Sequence, residues 1–263
     1  MSDLAGLQRE ALAMLLEFDR ICRHHGIAYQ LAAGSLLGAA RHGGFVPWDD
    51  DIDVCLRRAA YERFLAVAPA ELSPSYRLLH NGTEPGCGFL YCKIVSRGEG
   101  EANSPAFVDV FPFDGVESGR FLAGLQMWTA FILMQMLFLR QIVPAPASPA
   151  PWRMRRLVRR ALTWIVARQD PHRLARWLER VARWHEGRPT GHIACLVSGR
   201  LRYCQIRAER DFDDCIEAAF EGHDFPVPRR FDTVLRRLYG DWRVPLPVEK
   251  RQPHHQIVKS DPP

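Results

Sequence analysis

Four carboxylates crowd into five positions in the run Pro47-Trp48-Asp49-Asp50-Asp51-Ile52-Asp53-Val54. If the chain is a strand from Asp51 onward, period-two alternation places Asp51 and Asp53 on one face and Ile52 and Val54 on the other. Two carboxylates aimed at one point repel, and one of them takes up a proton unless a divalent cation sits between them. Hard oxygen ligands of this kind suit Mg²⁺ or Mn²⁺, which keep water ligands and also bind phosphate oxygens.

A lone acid appears again in Phe107-Val108-Asp109-Val110-Phe111, an otherwise apolar strand. A solitary buried carboxylate is costly unless paired or metal-bound, so Asp109 is the natural third ligand beside Asp51 and Asp53. The plainer alternative is that Asp109 ends its strand and accepts backbone hydrogen bonds. Asp114, in Pro112-Phe113-Asp114-Gly115, reads first as a turn acid. Upstream, Gly34-Ser35 is expected between a strand and a short helix over Leu36 to Ala40, where backbone N–H groups at a helix start cradle a phosphate. A Gly-Ser turn, a D-x-D strand and a lone strand acid each supply a different requirement of metal-assisted phosphoryl or nucleotidyl transfer. Arg41 and His42 offer charge for a phosphate, with a solvated loop pair as the alternative. Lys93 alternates within the apolar run Leu90 to Val95 and is a second phosphate candidate, or an exposed edge-strand lysine.

Around these motifs the chain reads as a mixed α/β core. Leu4, Leu7, Ala11, Met14, Leu15, Phe18, Ile21 and Cys22 recur at helical spacing, so an amphipathic helix opens the chain and ends near Gly26. Strands are expected at Ile27 to Leu31, Asp51 to Leu56, Tyr76 to His80, Phe89 to Val95 and Ala106 to Phe111. An Asn81-Gly82 turn separates the third from the fourth, and a helix from Arg57 to Ala68 stops at Pro69. Seven cysteines without a C-x-x-C pair indicate reduced thiols rather than a zinc ribbon or a disulfide framework. The first twenty residues carry acids among the apolars and lack a secretory pattern, so a cytoplasmic protein is expected.

The net charge of +5 is unevenly placed. Between Trp152 and Arg188 lie eleven arginines and three acids, a local +8, together with four of the seven tryptophans. The nineteen uncharged residues from Phe121 to Leu139 come just before, separated by a proline-rich linker from Pro144 to Pro151. Their length permits a membrane span, but a span would divide the Asp51 cluster from the Tyr239-Gly240-Asp241 block. Peripheral attachment at the cytoplasmic membrane face, helped by interfacial Trp and Arg, is the preferred expectation. Met154, Leu157, Val158, Ala161, Leu162 and Ile165 make one helical face with the arginines off it, and this suits packing or a membrane interface better than nucleic acid.

The run ICRHHGIAYQLAAGSLLGAARHGGFVPWDDDIDVCLRRAAYERF (Ile21 to Phe64) closely resembles the LicD family, relatives of fukutin and fukutin-related protein. FVDVFPFDGV (Phe107 to Val116) resembles that family's second motif, and FEGHDFPVPRRFDTVLRRLYGDWRVPLP (Phe220 to Pro247) its C-terminal signature. The resemblance implies an α/β (α+β) fold, a nucleotidyltransferase-like mixed sheet with flanking helices. The catalytic core would span 1–118, a helical, basic, Trp-rich insertion 119–200, and a segment returning to the core, with a polar tail, 201–263. It implies transfer of a phosphorylated alcohol, such as phosphocholine or ribitol phosphate, from a CDP-linked donor to a glycan or lipid-linked glycan, with release of CMP. By the same resemblance Asp51 and Asp53 match the metal-binding acids, and Asp49 the leading acid of D-x-D-x-D. Gly34 and Ser35 match the Gly-Ser turn, Arg41 and His42 the Arg-His pair, and Asp109 the acid of the second motif. The acceptor hydroxyl would be deprotonated near Asp109 or Asp49, with Arg41 stabilising the departing CMP. Two rivals stand beside this reading: a true nucleotidyltransferase releasing pyrophosphate, and an idle membrane- or glycan-binding protein.

Overall fold

The apolar stripe at the start of the chain folds as predicted. Helix α1 (Leu4–His24) buries Leu7, Ala11, Met14, Leu15, Phe18, Ile21 and Cys22. The computed structural model describes residues 4–80, 90–97, 106–117, 119–141, 170–197, 206–247, 249 and 251. After α1 come β1 (Gln30–Leu31), α2 (Ala33–His42), β2 (Ile52–Arg57), α3 (Arg58–Glu71), β3 (Tyr76–Leu79), β4 (Cys92–Ser96) and β5 (Phe107–Gly115). The second half adds α4 (Arg120–Gln141), α5 (Pro171–Ala182), β6 (His192–Ala194), β7 (Arg207–Ala208) and α6 (Glu209–Asp213). It closes with β8 (Cys215–Phe220), β9 (His223–Pro228) and α7 (Phe231–Tyr239).

These elements form the mixed α/β architecture expected. The sheet runs β1-β2-β5-β4-β3; β2 and β5 are parallel, while β1, β4 and β3 pair antiparallel to their neighbours. A parallel pair needs a long crossover, and α3 with the β3 and β4 strands fills it. The last two residues of β5 pair with β6, and β6 with β7. Alternation then sorts the two faces of the sheet. Ile52, Val54, Leu56, Ile94, Val108 and Val110 enter one core with α1, α2, α3, the β8-β9 hairpin and α7. Cys55 and Phe113 lie in a second core with α4, α5 and residues 193–197. The site acids share this second face.

Several expectations need correction. α3 runs through Pro69 to Glu71, because a proline in the final turn removes only one N–H, and Leu72 N–H still reaches the carbonyl of Ala68. β4 begins at Cys92, with Leu90 and Tyr91 in a bend before it. Asp114 is no turn acid: it lies inside β5, 2% exposed, and Arg58 at the start of α3 grips it with Nε and Nη2 at 2.7 Å each. A charge that deeply buried requires such a partner. No helix among the described residues is long and apolar enough to cross a membrane. The Asn81-Gly82 turn, Phe89, the Pro144 to Pro151 linker and the Met154 to Ile165 face lie outside the described residues.

Candidate active site

Three neighbouring strands lay a row of charges across the sheet. Asp53 on β2 is the register partner of Asp109 on β5, and Asp109 is in turn the partner of Lys93 on β4. Lys93 Nζ stands 2.5 Å from Asp109 Oδ1 and 3.7 Å from the centre of the Phe107 ring. Asp109 therefore sits in mid-strand rather than at a strand end. Lys93 is 8% exposed on an inner strand, not an edge lysine. A buried carboxylate and a buried ammonium satisfy each other here, as burial of either demands.

Asp51 completes the cluster from the chain just ahead of β2. One oxygen from each of Asp51, Asp53 and Asp109 lies within 4.8 Å of the others, and the same holds for Asp49, Asp50 and Asp51. The Asp53 carboxyl is held well above the usual carboxylate range, by burial first and then by Asp51, Asp109 and Asp49, and a hydrogen bond from the Gly34 N–H acts in the opposite direction. An all-carboxylate donor set with such mutual repulsion fits a hard divalent cation.

The start of α2 holds Asp53 in place. Gly34 and Ser35 lie inside the first turn of that helix, which begins at Ala33 rather than at Leu36. Ala33 enters with φ of 40°, a left-handed value costly for a residue with a Cβ. The Ser35 hydroxyl accepts the Asp53 N–H at 2.8 Å, while the Gly34 N–H donates to the Asp53 carboxylate. Gly34 also admits Asp49: a Cβ there would stand 2.4 Å from Asp49 Oδ2. The loop carrying the acids is anchored from elsewhere in the chain. Glu221, at the tip of the β8-β9 hairpin, accepts from Phe45 N–H at 3.0 Å and donates its own N–H to the Gly43 carbonyl at 2.9 Å, and Gln8 donates to the Asp49 carbonyl at 2.9 Å.

Arg41 and His42 stand at the other end of α2, with Arg41 about 9 Å along the axis from Ser35 at the α-helical rise. Arg41 Nη1 donates to the Trp242 carbonyl at 2.9 Å and its Nε to His42 Nε2 at 2.9 Å. Trp242 in turn donates from Nε1 to Asp232 at 3.1 Å. Arg41 thereby ties α2 to the C-terminal block, and the described contacts do not bring it to the acids. Two residues near the cluster escaped sequence reasoning. Asp50 is 3% exposed beside Asp49 and Asp51; its place in the Asp49-Asp50-Asp51 run was the available signal. The Tyr91 phenol is pushed far up by burial and then by Asp109, Asp53 and Asp51, and no local pattern marks a tyrosine in a bend as facing three acids.

Residues 26–129 match the family described as LicD/FKTN/FKRP, nucleotidyltransferase domain. The chain is 26% identical over 259 residues to the lipopolysaccharide cholinephosphotransferase LicD of Haemophilus influenzae, covering 94% of each protein. It is 62% identical over 97 residues to the ribitol 5-phosphate transferase FKRP of Mus musculus, covering 34% of this chain but 17% of that one. An uncharacterised protein of Rickettsia typhi is 36% identical over 84 residues, 31% of this chain and 27% of its own.

Proposed function

The chain belongs to the LicD family, with its nucleotidyltransferase domain over residues 26–129, and from that premise we propose that it moves a phosphorylated alcohol from a CDP-linked donor to a glycan hydroxyl, releasing CMP. The family relatives support the phosphotransferase class, since those with assigned names are a cholinephosphotransferase and a ribitol 5-phosphate transferase. The observation that carries the reading is the convergence of Asp51, Asp53 and Asp109 from two parallel strands and the loop before them.

Asp51, Asp53 and Asp109 would hold Mg²⁺ or Mn²⁺, which when bound supplies Lewis-acid neutralisation of phosphoryl oxygens. The Gly34 N–H donates to the Asp53 carboxylate, which sets the positive start of α2 against the acid cluster, and Gly34 and Ser35 are assigned to a donor phosphate oxygen there. Lys93 fixes the position of Asp109 and offsets one of the facing charges. The acceptor hydroxyl must give up its proton to a nearby carboxylate. Asp109 is held by Lys93, and we assign the base to Asp49, which lies against Gly34 beside the cluster. Arg41 and His42 are assigned to a part of the substrate beyond the reacting phosphate, given their place at the far end of α2.

The test is release of CMP from a panel of CDP-linked alcohols with Mg²⁺, comparing the native chain with Asp51→Ala, Asp53→Ala and Asp109→Ala. Metal-dependent CMP release lost in all three variants is expected. Pyrophosphate as the product from CTP would convert the assignment to nucleotidyl transfer, and no turnover with any donor or glycan acceptor would leave a binding protein.

A further inference from the structure

Helix α4 is apolar on two opposite sides. Ala123, Ala130, Met134 and Leu137 face the second core, where the buried Gln126 amide donates to the Val181 carbonyl at 3.0 Å. Opposite them, Phe121 is 82% exposed, Leu125 49%, Trp128 57% and Ile132 54%. At the helical repeat these four fall within an arc of about 60°. Five large apolar side chains on one helix, Leu122 included, exceed the scattered exposure normal for a protein surface.

Helix α5 packs beside α4 on the same core and turns a different face outward. Leu174, Ala175, Leu178, Val181 and Ala182 are buried, whereas Arg173, Arg176, Trp177 and Arg180 are exposed. Arg173 stacks on the Trp177 ring at 4.9 Å. None of Arg173, Arg176 and Arg180 forms an ion pair among the described residues. In sequence, the 29 residues between the two helices add six arginines against one acid, Asp170, so the region as a whole carries a strong positive excess.

We propose that the outward faces of α4 and α5 dock on an anionic lipid bilayer. The α4 stripe enters the boundary between headgroups and acyl chains, and Arg173, Arg176 and Arg180 pair with lipid phosphates. Charge selects this occupant: a second copy would press like-charged surfaces together, whereas a bilayer rich in anionic lipid offers both apolar depth and negative charge. Arginine and tryptophan beside a stripe of large apolar residues is the composition of interfacial helices. The inference is independent of the reaction assigned above, since it concerns other residues and needs no donor.

The experiment is co-sedimentation of the full chain with vesicles of phosphatidylcholine alone and of phosphatidylcholine mixed with phosphatidylglycerol. Binding to the mixed vesicles only, weakened by salt, is expected. Leu125→Glu with Ile132→Glu, and separately Arg173→Gln with Arg176→Gln and Arg180→Gln, should each reduce it by about tenfold or more, with the melting temperature unchanged because all five positions are exposed. Absence of vesicle binding, or equal binding to both compositions, overturns the proposal. So does a lower melting temperature in the glutamate variant, which would mean that the chain's own residues cover the stripe, or a dimer in light scattering that the same variant dissociates.

Discussion

Asp53 and Asp109 stand side by side on parallel strands, register partners whose carboxylates meet on the same face of the sheet, with Asp51 closing the triangle. Burial and mutual repulsion both act against their charged forms. Replacing Asp53 with Asn should therefore raise the melting temperature of the metal-free chain while abolishing the rise that Mg²⁺ produces in the native one. Thermal melts with and without Mg²⁺ check both halves, and a destabilised Asp53→Asn variant would show that the cluster is not repulsive.

Lys93 answers Asp109 from the other side. Lys93→Met leaves a buried carboxylate without its counter-charge, a change that typically costs about 3–5 kcal/mol. Adding Asp109→Asn to Lys93→Met should recover most of that loss in urea denaturation. If the single and double variants unfold at the same urea concentration, the pair is not coupled.

Two glycines in α2 separate chemistry from packing. A Cβ at Gly34 would meet the movable end of the Asp49 carboxylate at 2.4 Å, whereas one at Gly38 would meet the fixed Gly44 carbonyl oxygen at 2.3 Å. Gly34→Ala is expected to fold with a near-native melting temperature and to lose most CMP release. Gly38→Ala must shift backbone and should lose about 1–3 kcal/mol of stability. Equal stability losses in the two variants would contradict this division.

His80 gives the fold a pH dependence. Burial, the largest influence, lowers its pKa in the folded chain below the ordinary histidine value, so the unfolded chain binds the proton more readily. Its stabilising contribution is fully present above the unfolded pKa, about 6.5, and is lost as pH falls through the lower folded value. Urea midpoints from neutral to mildly acidic pH should fall less steeply in His80→Gln than in the native chain; parallel profiles would assign the acid sensitivity to other groups.

Much of this was legible in the residues themselves. Local periodicity sufficed for α1, whose seven buried side chains all belong to the predicted stripe, and for β2, where alternation alone puts Ile52 and Val54 in the core and Asp53 on the opposite face. Local reading failed where a distant partner changes a residue's meaning. Asp114 resembles a turn acid until Arg58, 56 residues earlier, neutralises it inside a strand. Lys93 resembles an edge residue until β3 and β5 flank its strand.

The sequence by itself determined that Asp51 and Asp53 share a face, because side-chain alternation along a strand needs no other part of the chain. Only the tertiary structure decided that Asp109 lies beside Asp53, that Lys93 lies beside Asp109, and that Arg41 is drawn to Trp242 instead. Strand order and register are set by backbone pairing and core packing between segments tens of residues apart, and no local pattern encodes which strands will meet.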